Sequence, residues 1–240
     1  MLFVGCAGGE KNAQKDQALE SEGRGHGEHA HDKHGHGEHA HGEHGHGHGK
    51  RFHKPEDFAE KWNSAERDEK QKPGEIVAAM GLQAGMTTAD LGAGTGYLLP
   101  HLSKAVGESG VVYALDAEDA MIDYLGGQVA QMGPARIEVK KVPWDAPGLE
   151  DATLDAMVTL NTWHHVQGRE AYARKVAATL KPGGRFVVVE FTMEATYGPP
   201  AKMKLEPAQV IADLEAGGFT AELVEETMPD HYMVVGKKAE

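Results

Sequence analysis

Three glycines at alternate positions, Gly92, Gly94 and Gly96, follow Asp90 and Leu91 and precede the apolar run Tyr97-Leu98-Leu99. Glycines spaced this way between a strand and a helix leave backbone N–H groups open and let a ligand rest against the main chain. About 20 residues further on, a second apolar run, Val111 to Leu115, ends in Asp116, where a doubly wound sheet places a carboxylate that accepts from two ribose hydroxyls. Its register with the turn favours that role over a solvated strand end. A third group, Asn161-Thr162-Trp163-His164-His165, follows the apolar stretch Leu154 to Leu160. Ligands of open α/β sheets sit beyond the carboxyl ends of the strands, so these imidazoles can take a proton or orient a reactant. His165 is expected to face the substrate; His164 either does so or hydrogen-bonds the following helix.

A fourth group has a different character. His26, His29, His31, His34, His36, His39, His41, His44, His46 and His48 alternate with Gly, Glu and Ala in a loose five-residue repeat of the HGEHA type. Nothing apolar larger than alanine interrupts them, so the tract cannot offset its ordering entropy and is predicted to be disordered. Neutral imidazoles at this density are ligands for zinc, nickel or copper, although a tract without fixed surroundings makes no catalytic metal site. The plainer alternative is a flexible spacer.

These groups need elements to position them. At 240 residues and 40% hydrophobic content the chain can bury one α/β core and still carry an extension. A formal charge of −13 argues against a nucleic-acid partner, since phosphate binding draws on clustered Lys and Arg. Cys6 is the single cysteine, which excludes an internal disulfide framework and zinc sites built on paired cysteines. Met1 to Gly9 resembles the back half of a bacterial lipoprotein signal in which Cys6 becomes the lipidated residue. Its basic and apolar regions are short, so either the true start lies upstream or the run is only an apolar N-terminus. The expected location is accordingly the bacterial cell envelope, with membrane attachment through Cys6, and the alternative is the cytoplasm. The boundaries are an N-terminal segment 1–50, a helical lead-in 51–85 and a ligand-binding domain 86–240.

In the lead-in, Phe58, Ala59, Trp62 and Ala65 predict a helix from Pro55 to Arg67, and Pro73-Gly74 opens another through Ile76, Val77, Met80 and Leu82. Trp62 is core or site. A strand from Met86 to Leu91 then leads into the turn and a helix through Leu102 and Val106. Thr192 to Leu205, with Gly198-Pro199-Pro200, suits a loop over the site; Glu206-Pro207 opens a helix ended by Gly217-Gly218. Two strands close the chain, Thr220 to Val224 and His231 to Val235, where His231 and Tyr232 line a pocket or are ordinary strand residues.

The motif Asp90-Leu91-Gly92-Ala93-Gly94-Thr95-Gly96 with Asp116 resembles the first motif and following acidic position of class I S-adenosylmethionine-dependent methyltransferases. Trp144-Asp145, Leu154 to Leu160, and Leu180-Lys181-Pro182-Gly183-Gly184 running into Arg185 to Val189 resemble later features of the same family, in order. The resemblance covers residues 73–240 and is similar to the small-molecule, ubiquinone/menaquinone-type branch. It implies a Rossmann-like, doubly wound α/β fold with a seven-stranded, mostly parallel sheet in the order 3-2-1-4-5-7-6. It also implies S-adenosyl-L-methionine as cofactor and a small-molecule acceptor. Gly92, Ala93, Gly94, Gly96, Tyr97 and Asn161 would surround the methionine half and Asp90 would hold its ammonium. Asp116 would bind the ribose, with Ala117 and Met121 packing on adenine unless Met121 is plain core. Asp145 would accept from the adenine amino group with Trp144 beside it. One alternative is an NAD(P)-dependent oxidoreductase, disfavoured because Tyr97 stands where the dinucleotide fingerprint has its third glycine. The other is a metal-binding envelope protein that retains the pocket. With no cysteine in the domain, thiol-relayed chemistry is disfavoured.

Titration of zinc or nickel into the full chain and into residues 51–240 should show binding by the full chain alone. Equal binding by the two would remove the tract from consideration.

Overall fold

A computed structural model describes residues 54–240; the histidine tract, Cys6 and the other positions of 1–53 lie outside the described residues. The strands are β1 (Thr87–Leu91), β2 (Val111–Asp116), β3 (Arg136–Lys141), β4 (Leu154–Leu160), β5 (Leu180–Phe191), β6 (Phe219–Val224) and β7 (His231–Lys238). They form one sheet in the order β3-β2-β1-β4-β5-β7-β6, parallel except for β7, which runs antiparallel to β5 and β6. This is the expected doubly wound architecture.

Side-chain alternation builds the two cores. Along β5, Val187 and Val189 enter one cluster with Ile76, Leu99, Leu102 and Val106, while Phe186 and Val188 enter the other with Trp163, Tyr172, Val176 and Leu214. The first cluster is covered by α3 (Pro73–Met80), α4 (Leu99–Val106) and α5 (Asp119–Gln128), the second by α6 (Arg169–Thr179) and α7 (Pro207–Ala216). Central parallel strands buried on both faces are largely apolar, as Leu154 to Leu160 and Phe186 to Val189 are, in agreement with the strands that the family resemblance implied there. Hydroxyls inside the sheet are paired: Thr88 Oγ1 donates to the Ala156 carbonyl and Thr159 Oγ1 to that of Leu91, each at 2.9 Å.

Two elements depart from expectation. The helix expected from Pro55 to Arg67 is two helices, α1 (Glu56–Trp62) and α2 (Ala65–Gln71), separated by Asn63 and an extended Ser64. The break has a tertiary cause, because Asn63 Nδ2 donates to the Thr95 carbonyl at 3.0 Å and Asn63 Oδ1 accepts from Thr95 Oγ1 at 2.7 Å. Both bonds pull the chain onto the glycine turn. The second departure is in β5: the family resemblance implied a Pro182-Gly183-Gly184 turn before the strand, but Leu154 pairs with Leu180 and Ala156 with Arg185, so these residues form a bulge inside it. Gly183 takes φ 71°, a value that favours glycine.

The 192–205 loop holds a short 3₁₀ turn at Ala201–Met203 and ends where Tyr232 Oη donates to the Leu205 carbonyl at 2.8 Å. Among the described residues no helix is long and apolar enough to cross a membrane.

Trp163, fully buried, donates from Nε1 to Asp213 Oδ2 at 3.2 Å, and Arg169 Nε donates to the same oxygen at 2.6 Å. Asp213→Ala should therefore lower stability by about 1–3 kcal/mol by stranding a buried indole N–H, with an unchanged urea m-value. A urea midpoint equal to that of the wild type would show that the indole needs no partner.

Candidate functional site

The turn is built from the backbone outward. Gly92 and Ala93 both donate to the Leu115 carbonyl, at 2.8 and 3.0 Å, and Gly94 N–H donates to Asp116 Oδ2 at 2.9 Å. Asp116 Oδ1 accepts from Glu118 N–H at 3.0 Å. The carboxylate predicted to read a ribose thus also ties the end of β2 to the turn after β1. Burial raises its pKa, while the N–H groups of Glu118, Gly94 and Ala117 pull the other way.

The three glycines serve different needs. A Cβ on Gly92 would lie 2.4 Å from Thr162 Cγ2, so this glycine lets the loop after β4 press against the turn. A Cβ on Gly96 would meet Leu125 at 2.9 Å and Met132 at 3.0 Å, which makes its requirement one of core packing. Only Gly94 has room: its nearest neighbours would be the Gly92 carbonyl and the Trp62 indole, both at 3.9 Å. The close-approach surface is therefore at Gly94, with Trp62 above it.

Asp90 stands beneath the turn and is buried. Burial pushes its carboxyl up to about 7; the Arg67 guanidinium opposes that shift and the Asp116 carboxylate adds to it. Arg67 comes from α2. Its guanidinium lies 3.9 Å from the centre of the Tyr97 ring, donates from Nη1 to the Trp62 carbonyl at 2.5 Å, and is lowered in pKa by its own burial. Tyr97 Oη donates to Asp68 Oδ1 at 2.8 Å, so Tyr97 fastens α2 over the turn.

The loop after β4 brings in the predicted imidazoles. Asn161 sits at φ 58°, a left-handed value uncommon outside glycine, and its Oδ1 is buried without a hydrogen-bond partner among the described residues. Such strain and an orphaned acceptor fit a donor group on a ligand, and an ammonium is one. His164 is pinned: Glu190 Oε1 accepts its backbone N–H at 3.0 Å and Oε2 lies 2.8 Å from Nδ1, the two side chains being 3% and 1% exposed. A carboxylate accepts, so the nitrogen facing Glu190, Nδ1, carries a proton. The ring of His165 lies 4.1 Å from that of His164, centre to centre.

On the adenine side the placement is different. Met121 is buried within α5, as plain core would be, and Ala117 is half-buried. Trp144 is 50% exposed, whereas the Asp145 carboxylate accepts from Lys175 Nζ of α6 at 2.8 Å. The structure thus gives Asp145 a partner away from the turn. Two hollows, of about 270 and 770 Å³, lie between α2 and α4 and between α3 and the β6–β7 edge; the first is lined by Gly96, Tyr97 and His101, and neither by Asp116, His164 or His165.

Sequence reasoning did not find Arg67, Asn63 or Glu190. A carboxylate inside the apolar run Val187-Val188-Val189-Glu190-Phe191 was a usable signal for Glu190, because such a residue is buried only with a partner. No pattern marked Arg67. Among the described residues no cluster of three or more His, Cys, Asp or Glu is placed to hold a metal ion.

The sheet order, the open glycine turn and the carboxylate at the end of β2 define a Rossmann-like, doubly wound domain. Residues 89–184 match the family described as a methyltransferase domain. The ubiquinone/menaquinone biosynthesis C-methyltransferase UbiE of Klebsiella pneumoniae is 32% identical over 117 residues, 48% of this chain and 47% of that protein. The chain spans about half the length of the curated relatives it matches. A solved S-adenosylmethionine-dependent methyltransferase from Aquifex aeolicus is 29% identical with a TM-score of 0.70, covering 77% of this chain and 98% of that one. The [4+2]-cyclase SpnF, at 14% identity and a TM-score of 0.61 over 73% of this chain and 83% of its own, shares the fold alone. Apart from that last one, these likenesses are all to methyltransferases, and residues 89–184 are the part of the chain that matches the methyltransferase domain.

Asp90 yields a prediction with a sign. Its folded pKa lies above the ordinary 3.8, so between about pH 4 and pH 7 the folded chain holds a proton that the unfolded chain has lost, and this contribution to stability falls as pH rises. The stability of wild type relative to Asp90→Asn should fall across that window by up to about 1.4 kcal/mol per pH unit, as read from urea unfolding. A difference that stays flat would show that Asp90 ionises normally.

Proposed function

We propose that the chain transfers the sulfonium methyl of S-adenosylmethionine to a small-molecule acceptor in one in-line displacement. The Asp116–Gly94 bond carries this reading. It sets carboxylate oxygens suited to ribose hydroxyls beside the one stretch of turn with room for a ligand. The donor set fits the cofactor: Gly94 for close approach, Asp116 for ribose, Asp90 and Asn161 Oδ1 for the ammonium, Ala117 and the half-exposed Trp144 near adenine. Asp145 would have to leave Lys175 to take part.

When bound, the cofactor supplies a methyl already activated by the sulfonium charge. What remains for the protein is to hold the acceptor in line, exclude water and, where the acceptor is acidic, remove a proton. Trp62 and Arg67 of the lead-in provide the cover. His165, packed beside a His164 that Glu190 holds in place, is the group proposed to take or orient the proton. The matched relatives are named as C-methyltransferases of ubiquinone and menaquinone biosynthesis, which supports a small organic acceptor here. The acidic chain supports no nucleic-acid partner. We also propose the histidine tract as a site for zinc, nickel or copper, outside the catalytic step, and Cys6 as the point of membrane attachment in the cell envelope.

Calorimetry should show binding of S-adenosylhomocysteine and none of NADH, with affinity for the former reduced at least about tenfold in Asp116→Ala, in line with loss of a charged hydrogen-bonding partner. Preference for NADH would favour the oxidoreductase alternative. Equal affinity in the variant would remove Asp116 from the ribose site.

A further inference from the structure

Three side chains from distant parts of the chain form a relay in which each proton can be placed. Arg67 Nε lies 2.5 Å from Gln71 Oε1, and because a guanidinium only donates, oxygen is the Gln71 atom that faces it. The amide nitrogen of Gln71 then faces His231, Nε2 to Nε2, at 3.2 Å. That nitrogen also only donates, so His231 Nε2 accepts and carries no proton. His231 is 1% exposed. Burial lowers its pKa to about 4 against the pull of Asp230, with Arg67 adding to the lowering, so the ring is neutral and its proton is on Nδ1. This Nδ1–H is buried and has no hydrogen-bond partner among the described residues. Native interiors rarely leave a donor in that state without a functional reason.

The position of the donor is informative. His231 opens β7 opposite Phe191, at the edge of the sheet formed by the carboxyl ends of the parallel strands, where open α/β folds take ligands. The Phe191 ring lies 4.4 Å from the imidazole and the Tyr197 ring 6.3 Å, centre to centre. A donor among aromatic rings, with the opposed charges of Asp230 and Arg67 both acting on it, suits an apolar molecule that offers a single accepting oxygen, and an N–H group gives an ammonium nothing to donate to.

We infer that the Arg67–Gln71–His231 relay holds His231 Nδ1–H as the anchor for the methyl acceptor, and that this acceptor is an apolar molecule with a carbonyl-type oxygen, not a protonated amine. The inference rests on the methyl-transfer reading of the site. Arg67 and Gln71 are positioning residues that set the tautomer; His231 makes the contact.

Two measurements on the full chain, saturated with S-adenosylhomocysteine, test it. Long-range ¹H–¹⁵N spectra should show His231 with Nδ1 protonated and Nε2 bare, and Gln71→Glu, which accepts where glutamine donates, should move the proton to Nε2. Among three probes of similar shape, acetophenone should bind about tenfold tighter than isopropylbenzene, as one buried hydrogen bond allows, and 1-phenylethylammonium weakest. That preference should vanish in His231→Phe and in Gln71→Glu, and persist in part in His231→Asn. A proton on Nε2 in the wild type would overturn the inference, as would a preference that survives His231→Phe. Nδ1 protonation with equal binding of acetophenone and isopropylbenzene would also overturn it and mean that the donor serves an ordered water only. Failure of S-adenosylhomocysteine to bind, with the probe preference intact, would count against methyl transfer and leave the anchor standing.

Discussion

The bond from Gly94 N–H to the Asp116 carboxylate is the constraint on which the site depends. A parallel register pairs Leu91 with Leu115, so the glycine turn leaves β1 beside the end of β2, and the two adjacent N–H groups of Gly92 and Ala93 are spent on one carbonyl. The third N–H in the series meets a carboxylate. Without that partner the turn would expose a buried donor, and without the turn Asp116 would carry a desolvated charge with fewer compensating bonds. The atoms proposed to meet the ligand are therefore the ones that hold the turn together.

The lead-in adds a second layer of dependence. Asn63 holds Thr95, Tyr97 holds Asp68, and Arg67 lies across Tyr97 while reaching the Trp62 carbonyl. These contacts close α1 and α2 over the turn and put a positive charge near Asp90. A buried carboxyl with a pKa of about 7 and a half-buried guanidinium of lowered pKa are each costly alone; the charge of each reduces the cost of the other. The opposite end of the site has the same logic, since Glu190 and His164 are buried as a hydrogen-bonded pair.

Sequence and structure agree best where one local rule decides. The glycine spacing, the apolar runs of β1, β2 and β4, and the carboxylate at the end of β2 all follow from strand period, turn chemistry and a single crossover geometry. The differences fall where a distant residue intervenes. Asn63 splits a helix whose apolar spacing looked continuous because Thr95, 32 positions away, offers it two hydrogen bonds. Gly96 looked like part of a ligand cradle and is required by Leu125 and Met132. Asp145, expected beside adenine, has Lys175, 30 positions away, as its partner here.

By itself the sequence determined the glycine turn, the carboxylate at the end of β2 and the main run of strands and helices, and its resemblance to a known family implied the doubly wound sheet, because alternation, glycine φ freedom and strand-end placement are local properties. Tertiary structure decided which residues share a buried environment: Arg67 with Asp90 and Tyr97, Glu190 with His164, Gln71 with His231. Desolvation and partner geometry set the tautomers and pKa values of such groups, and both depend on what the rest of the chain packs against them, which no local pattern records.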